Sequence, residues 1–189
     1  MLFFRRVQPS DAPQLAAIQN HYIVHSTASF YYEPLDTAFF EGKIAAVAPH
    51  HPFIVCEKEG RIIGFAYASP IHPQQAYAWS VELTVYLAPD CLHQGVGSAL
   101  YARLMTLLRQ LGYLNAYACI TAENTASIRM HERFGFRQVG YFPQAGIKGG
   151  QWLDIVWLAM PLLSPLPAVQ TPPIPFGRLS EDTLADLLR

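Results

Sequence analysis

Three places in this 189-residue chain combine residue types that can do chemistry. The first is Glu82, inside the run Trp79-Ser80-Val81-Glu82-Leu83-Thr84-Val85-Tyr86-Leu87, whose β-branched and aromatic residues read as a long strand. Alternation puts Glu82 on one side with Thr84 and Tyr86, among apolar neighbours whose burial would raise its pKa. A carboxylate so placed can take the proton of an ammonium before the amine attacks an electrophile; otherwise it is a solvent-facing glutamate on an edge strand. The second place is Gly95-Val96-Gly97-Ser98, directly ahead of a helix marked by Leu100, Leu104, Leu107, Leu108 and Leu111 and closed by Gly112. Glycines opening a helix let a phosphate reach its unpaired N–H groups and positive end, although the same pair also serves ordinary tight turns. The pattern lacks the Gly-Lys-[Ser/Thr] of a P-loop and the third glycine of a dinucleotide fingerprint. The third place is His131, on a short helix capped by Asn124 and stopped by Gly135, which either gives a proton or packs.

The elements that must position these groups are legible in outline. Leu2 to Gln8 reads as a strand, and Pro9-Ser10-Asp11 then opens a helix whose apolar face is Leu15, Ile18 and Tyr22. Phe39, Phe40, Ile44 and Val47 mark a second helix, ended by Pro49 and Pro52. Phe53 to Cys56 and Arg61 to Ala68 form a hairpin about Glu59-Gly60, and a loop over 69–76 leads to the strand of Glu82, which stops at Ala88-Pro89-Asp90. Tyr113 to Ile120 is a strand that places Cys119 in the core, and Phe136 to Phe142 and Trp152 to Met160 are the last two. Residues 1–160 are thus one domain. Prolines at 161, 165, 167, 172, 173 and 175 make 161–189 a tail, packed on the domain or on a partner subunit, in which Ser180 caps a short helix bearing Leu184, Leu187 and Leu188.

Composition narrows the function. With 51% hydrophobic and 14% charged residues the chain builds a sizeable core, and 13 Lys+Arg against 14 Asp+Glu leave no basic block for nucleic acid. The uncharged stretches Ile62 to Val81 and Ile155 to Gly177 are long enough for a membrane helix, but their prolines and polar residues exclude one. No secretory signal heads the sequence, and Cys56, Cys91 and Cys119 are odd in number and without metal spacing. The remaining histidines, His50-His51 among them, lack partners at ligand spacing, so no metal is expected. A soluble cytoplasmic protein with reduced thiols fits these features.

Val85-Tyr86-Leu87, Gly95-Val96-Gly97, Asn124-Thr125-Ala126-Ser127 and His131-Glu132-Arg133-Phe134-Gly135-Phe136 resemble, in order and spacing, the acetyl-CoA-binding motifs of the GNAT N-acetyltransferase superfamily. Asn20-His21-Tyr22 with Ser26-Thr27, Ala76-Tyr77 with Val81-Glu82 and Thr84-Val85-Tyr86, and Gly146-Ile147-Lys148 with Trp152-Leu153-Asp154 resemble more narrowly the phosphinothricin-type acetyltransferases. The resemblance spans residues 3–160. It implies an α/β (α+β) fold, with a mixed, mostly antiparallel central sheet flanked by helices on both faces and acetyl-CoA in the cleft where two central strands part.

The resemblance also implies roles. Val85, Tyr86 and Leu87 offer backbone groups to the pantetheine arm; His93, Gln94, Gly95, Val96, Gly97 and Ser98 wrap the pyrophosphate; Asn124 and Ser127 contact the cofactor. Glu82 is the general base, and His131, where many superfamily members carry a tyrosine, is the candidate acid. Phe30, Tyr77, Thr84 and Lys148 line the acceptor pocket. Three departures stand out. Leu92 replaces the usual Gln or Arg three residues before the first glycine; His72, Gln74 and Gln75 stand where members that bind acidic analogues carry basic residues; and Gly149 replaces a histidine after the late lysine. The expected reaction is direct acetyl transfer to the primary amine of a small molecule, an amino acid or analogue, by a homodimer. Acetylation of a protein or peptide amine, or a non-catalytic acyl-CoA-binding module, are the rival readings.

Overall fold

The computed structural model describes residues 2–167 and 171–189. Seven strands and five helices follow in the order β1 (Phe3–Arg6), α1 (Ala12–His25), α2 (Thr37–Val47), β2 (Phe53–Lys58), β3 (Arg61–Pro70), β4 (Ser80–Leu87), α3 (Val96–Leu111), β5 (Asn115–Thr121), α4 (Thr125–Arg133), β6 (Arg137–Lys148), β7 (Gln151–Pro161) and α5 (Glu181–Leu187). Local chemistry sets the ends. Asp36 accepts the Phe39 N–H at 2.8 Å to start α2, Asn124 and Ser180 cap α4 and α5 in the same way, and Gly112 at φ +86° closes α3. Asp11 does more than open a helix. It is buried, and both of its oxygens take the Arg5 guanidinium, at 2.7 and 2.9 Å.

The strands lie in the order β1-β2-β3-β4-β5-β7-β6, and every neighbouring pair is antiparallel except β4 with β5. Helices cover both faces. On β3, Phe65 meets Phe40 of α2 edge to face, whereas a side chain at its neighbour Gly64 would strike Leu100 of α3. Register carries this alternation to β4: Phe65 faces Tyr86, Tyr67 faces Thr84 and Ser69 faces Glu82. Glu82, Thr84 and Tyr86 therefore look toward α1 and α2, as the period-2 pattern predicts, while Val81, Leu83 and Leu87 look toward α3.

Some expectations are revised. The first strand is shorter than Leu2 to Gln8. β6 runs past Phe142 to Lys148, because register shifts after Gln138 and Phe142 absorb its irregularities and Gly149-Gly150, at φ +57° and +79°, turn it tightly into β7. Cys119 is exposed rather than core: Ala116, Ala118 and Ile120 fill the buried face of β5, and Cys119 lies on the face that the departing β4 uncovers. The proline-rich segment folds back over its own domain. Phe176 is wholly buried, with its N–H on His50 O and that of Gly177 on Pro49 O, and Leu184 and Leu188 join the same core. Among the described residues, no helix is long and apolar enough to cross a membrane.

Candidate active site

The site begins with a pairing that stops. β4 and β5 run side by side only at Ser80–Asn115, Val81–Ala116 and Glu82–Tyr117; beyond Glu82 the strands part. β4 stays bonded to β3 as far as Leu87, and β5 to β7 as far as Thr121, so a cleft of about 1260 Å³ opens between them. The Ala88 N–H donates to Ile63 O on the β3 side. Alternation turns the Thr84 and Tyr86 amides the same way and leaves those of Val85 and Leu87 facing the cleft. The Leu87 carbonyl already accepts the Tyr22 hydroxyl at 2.8 Å.

At the far end of β4 the chain passes His93 (φ +61°) and Gly95 (φ +79°) into α3. Only a residue tolerating the left-handed region fits at 95, and no side chain caps the helix, so the N–H groups of Val96, Gly97 and Ser98 are bare. A methyl group on Gly97 would come within 3.2 Å of Leu87 Cδ1, which shows how closely the helix end abuts the strand. His93, Gly95, Gly97 and Ser98 line the cleft. Gln94 does not; its Nε2 turns back to Asp90 O at 2.9 Å, and buried Val96 offers backbone alone. Asn124 and Ser127 lie on the opposite wall, the Asn124 Oδ1 taking the Ser127 N–H.

Glu82 lies at the root of the fork, half-buried and facing the cleft. Burial pushes its carboxyl above the usual range, and the charge of Lys43 opposes that shift. Thr84, Phe30, Val85, Tyr86 and Leu87 line the same space. Burial also raises Tyr86, whose hydroxyl donates to Ala28 O at 3.1 Å and fixes the loop after α1.

Two expected site residues are placed differently, and a third lies on the cleft wall but is poorly set up for its expected role. Tyr77 is exposed in the loop before β4, its ring against His72, and is not a cleft residue. The Lys148 ammonium donates to Ile23 O at 2.8 Å and Ser29 O at 2.5 Å; it ties β6 to the end of α1 rather than waiting for an anion. His131 lines the cleft as expected but is buried between Tyr101 and Phe136, and its Nδ1 lies 2.8 Å from Ser127 O. A carbonyl only accepts, so the proton is on Nδ1, and burial lowers the imidazole pKa and holds the ring neutral. Nε2 is then an acceptor without a partner, a poor fit to proton donation.

The structure adds residues that motif reading missed. Lys43 and Tyr67 line the cleft with Lys43 Nζ 2.8 Å from the Tyr67 hydroxyl, and Gln19 presents a buried Oε1 without a partner. A signal existed for Lys43: it sits three residues after Phe40 and one before Ile44, a cation within an apolar stripe. Arg129 and Arg133, four apart on α4, also face the cleft. Cys119 is there too, but enclosure by the cleft walls and the charge of Glu82 push its thiol up to about 11, so at neutral pH it is no nucleophile.

The cleft is long enough for an extended molecule along β4, has unpaired N–H groups at one end and a carboxylate at its root, an arrangement suited to group transfer. Residues 4–157 match the acetyltransferase (GNAT) domain, and the chain belongs to that family of acetyltransferases. Over 160 residues it is 35% identical to phosphinothricin N-acetyltransferase of Alcaligenes faecalis, covering 84% of this chain and 81% of that protein. L-methionine sulfoximine/L-methionine sulfone acetyltransferase of Salmonella typhimurium is 30% identical over 162 residues, covering 84% and 93%. Among solved structures, a GNAT superfamily phosphinothricin acetyltransferase from Sinorhizobium meliloti in complex with acetyl-CoA superposes with a TM-score of 0.84 at 27% identity, over 97% of this chain and 98% of that one.

Proposed function

We propose that this acetyltransferase moves the acetyl group of acetyl-CoA directly to the primary amine of a small, amino-acid-like acceptor, with Glu82 as general base. The solved relative holds acetyl-CoA, and the curated relatives act on phosphinothricin and on methionine sulfoximine and sulfone. The residues fit that co-substrate. Bare N–H groups of Val96, Gly97 and Ser98 suit its pyrophosphate, Arg129 and Arg133 suit phosphate charge, and the cleft-facing amides of Val85 and Leu87 suit the amides of its arm. When bound, it supplies an acetyl carbon to which the amine nitrogen bonds and a sulfur that leaves with a proton. Glu82 takes the other proton from the acceptor ammonium, making its lone pair available. The β4 amides are donors for the carbonyl oxygen as charge builds on it. His131, neutral and with its proton committed to Ser127, is assigned no proton transfer.

The observation that carries this reading is the position of Glu82, a desolvated carboxylate at the point where β4 and β5 part. It is tested by release of CoA thiol from acetyl-CoA, for wild type and Glu82→Gln. The acceptor panel is phosphinothricin, methionine sulfoximine, methionine sulfone, ordinary amino acids and short peptides. Turnover on a small amine should fall about 10²–10⁴-fold in the variant while acetyl-CoA binding holds. Undiminished turnover in Glu82→Gln, or turnover on peptides alone, would overturn the assignment.

The assembly we propose is a homodimer. Val139, Tyr141, Phe142, Ile147 and Trp152 leave β6 and the start of β7 with an apolar surface, Trp152 being 62% exposed, and a second copy would cover it. Sedimentation equilibrium should give twice the chain mass, and Trp152→Glu should give monomers. The free thiols of Cys56, Cys91 and Cys119 support a reducing cytoplasm as its location.

A further inference from the structure

The acceptor end of the cleft carries two opposite charges. Glu82 offers a carboxylate; Lys43, projecting from α2, offers an ammonium that donates to the Tyr67 hydroxyl at 2.8 Å. Among the described residues Lys43 makes no ion pair with a carboxylate, and two of its N–H donors stay available after the bond to Tyr67. Because the Tyr67 oxygen accepts from Lys43, the hydroxyl keeps its own proton to give. Tyr67 is itself buried, parallel to the Phe65 ring and tilted against Phe53, and the ammonium also lies 4.7 Å from its ring centroid, so the pair is held in place. Register puts Tyr67 opposite Thr84, one alternation from Glu82 on the same face of the sheet. Two donors, one of them cationic, thus look into the same space as the Glu82 carboxylate.

We infer that Lys43 and Tyr67 form an anion subsite, and that the acceptor is a zwitterion whose carboxylate sits on this pair while its amine faces Glu82. The inference rests on the proposed acetylation of a small amine and names the class: free amino acids, not simple amines and not internal residues of peptides. A peptide bond in place of the carboxylate would leave the ammonium without its counter-charge in a half-enclosed site.

The test separates this subsite from catalysis. Binding of N-acetylglycine and N-acetylmethionine sulfone, each against its primary carboxamide, is measured calorimetrically on wild type, Lys43→Met and Lys43→Arg, with the acetyl-CoA KM and melting temperature as controls of fold. The acids should bind wild type at least about tenfold more tightly than the amides, the range of a charge-assisted hydrogen bond. That preference should vanish in Lys43→Met and return in Lys43→Arg. Equal binding of acid and amide to wild type, no binding of either, or a preference that survives Lys43→Met overturns the inference. A Lys43-dependent preference in a protein that releases no CoA thiol from any amine keeps the subsite and overturns the acetylation reading instead.

Discussion

Phe176 measures how firmly the C-terminal segment belongs to the catalytic domain. Its ring is wholly buried, the Arg6 guanidinium lies 4.2 Å from its centroid, and the backbone beside it is tied to Pro49 and His50. Phe176→Ala removes a wholly buried ring from the common core, beside Arg6 of β1. Such a truncation costs about 3–5 kcal/mol, and loss of the cation–π contact brings the total to about 4–6 kcal/mol. That is a large part of the roughly 5–15 kcal/mol that holds a domain together. At about 2–4 °C per kcal/mol for a chain of this size, Tm should fall by about 8–24 °C, read by calorimetry or circular dichroism. Phe176→Leu, which keeps most of the volume, should cost under about 1.5 kcal/mol. Because Phe176 is not a cleft residue, both KM values measured below the new transition should match wild type. A Phe176→Ala shift under about 2 °C, or a raised KM with Tm unmoved, would refute the packing described.

Further outcomes follow from the cleft. Glu82 must be deprotonated to act, and burial raises its pKa, so kcat/KM should climb with pH through a limb above the ordinary carboxylate value of 4.5; the limb should disappear in Glu82→Gln and move to higher pH in Lys43→Met, where the opposing charge is gone. A limb unchanged in Glu82→Gln would assign it to another group. Gly97→Ala puts a methyl within 3.2 Å of Leu87 Cδ1 and beside the bare N–H groups, and should raise the acetyl-CoA KM about tenfold, the worth of roughly one hydrogen bond, with the acceptor KM unchanged. His131→Phe should leave kcat within about tenfold, where loss of a working acid costs about 10²–10⁴. The folded-state pKa of His131 is depressed, so its stabilising contribution is present above the ordinary value of 6.5 and is lost as pH falls from there toward the folded value; wild-type Tm should drop across that window more than the Tm of His131→Phe.

The parts of this protein that repeat a local rule were legible in the sequence. The leucine stripe and Gly112 mark α3, Asn124 and Ser180 are caps, and the alternation around Glu82 places it with Thr84 and Tyr86 as the register shows. What long-range packing decides was not. Cys119 reads as core because its strand neighbours do, and only the parting of β4 from β5 exposes it. Lys148 sits beside a glycine turn, where a surface or ligand role is the natural guess, yet the carbonyls of Ile23 in α1 and Ser29 in the loop after it, more than a hundred residues earlier, hold its ammonium. Tyr77 fits an aromatic pocket by type alone; the short helical turn at Gln75–Tyr77 swings it outward. Lys43 lies in a helix with no motif, and the role proposed for it rests on its bond to Tyr67 of β3.

The position of Glu82 in the ladder explains why one carboxylate can be both exposed to a ligand and precisely held. It is the last residue of β4 paired in register with strands on both sides, opposite Ser69 on β3 and Tyr117 on β5. One residue earlier, Val81 is wholly buried; further on, the backbone has a partner strand on one side only. Glu82 therefore combines a backbone fixed from two directions with a side chain at the mouth of the opening, the condition for orienting a base without closing off its substrate. The strand beyond it carries amides that no neighbour satisfies, a cost that a ligand with its own amides offsets by lying along β4 as an additional strand would. In the proposed reaction donor and acceptor meet where the sheet stops pairing, and a slip of β4 by one residue against β3 would turn Glu82 into the core under α3 and remove both the base and the fork it stands at.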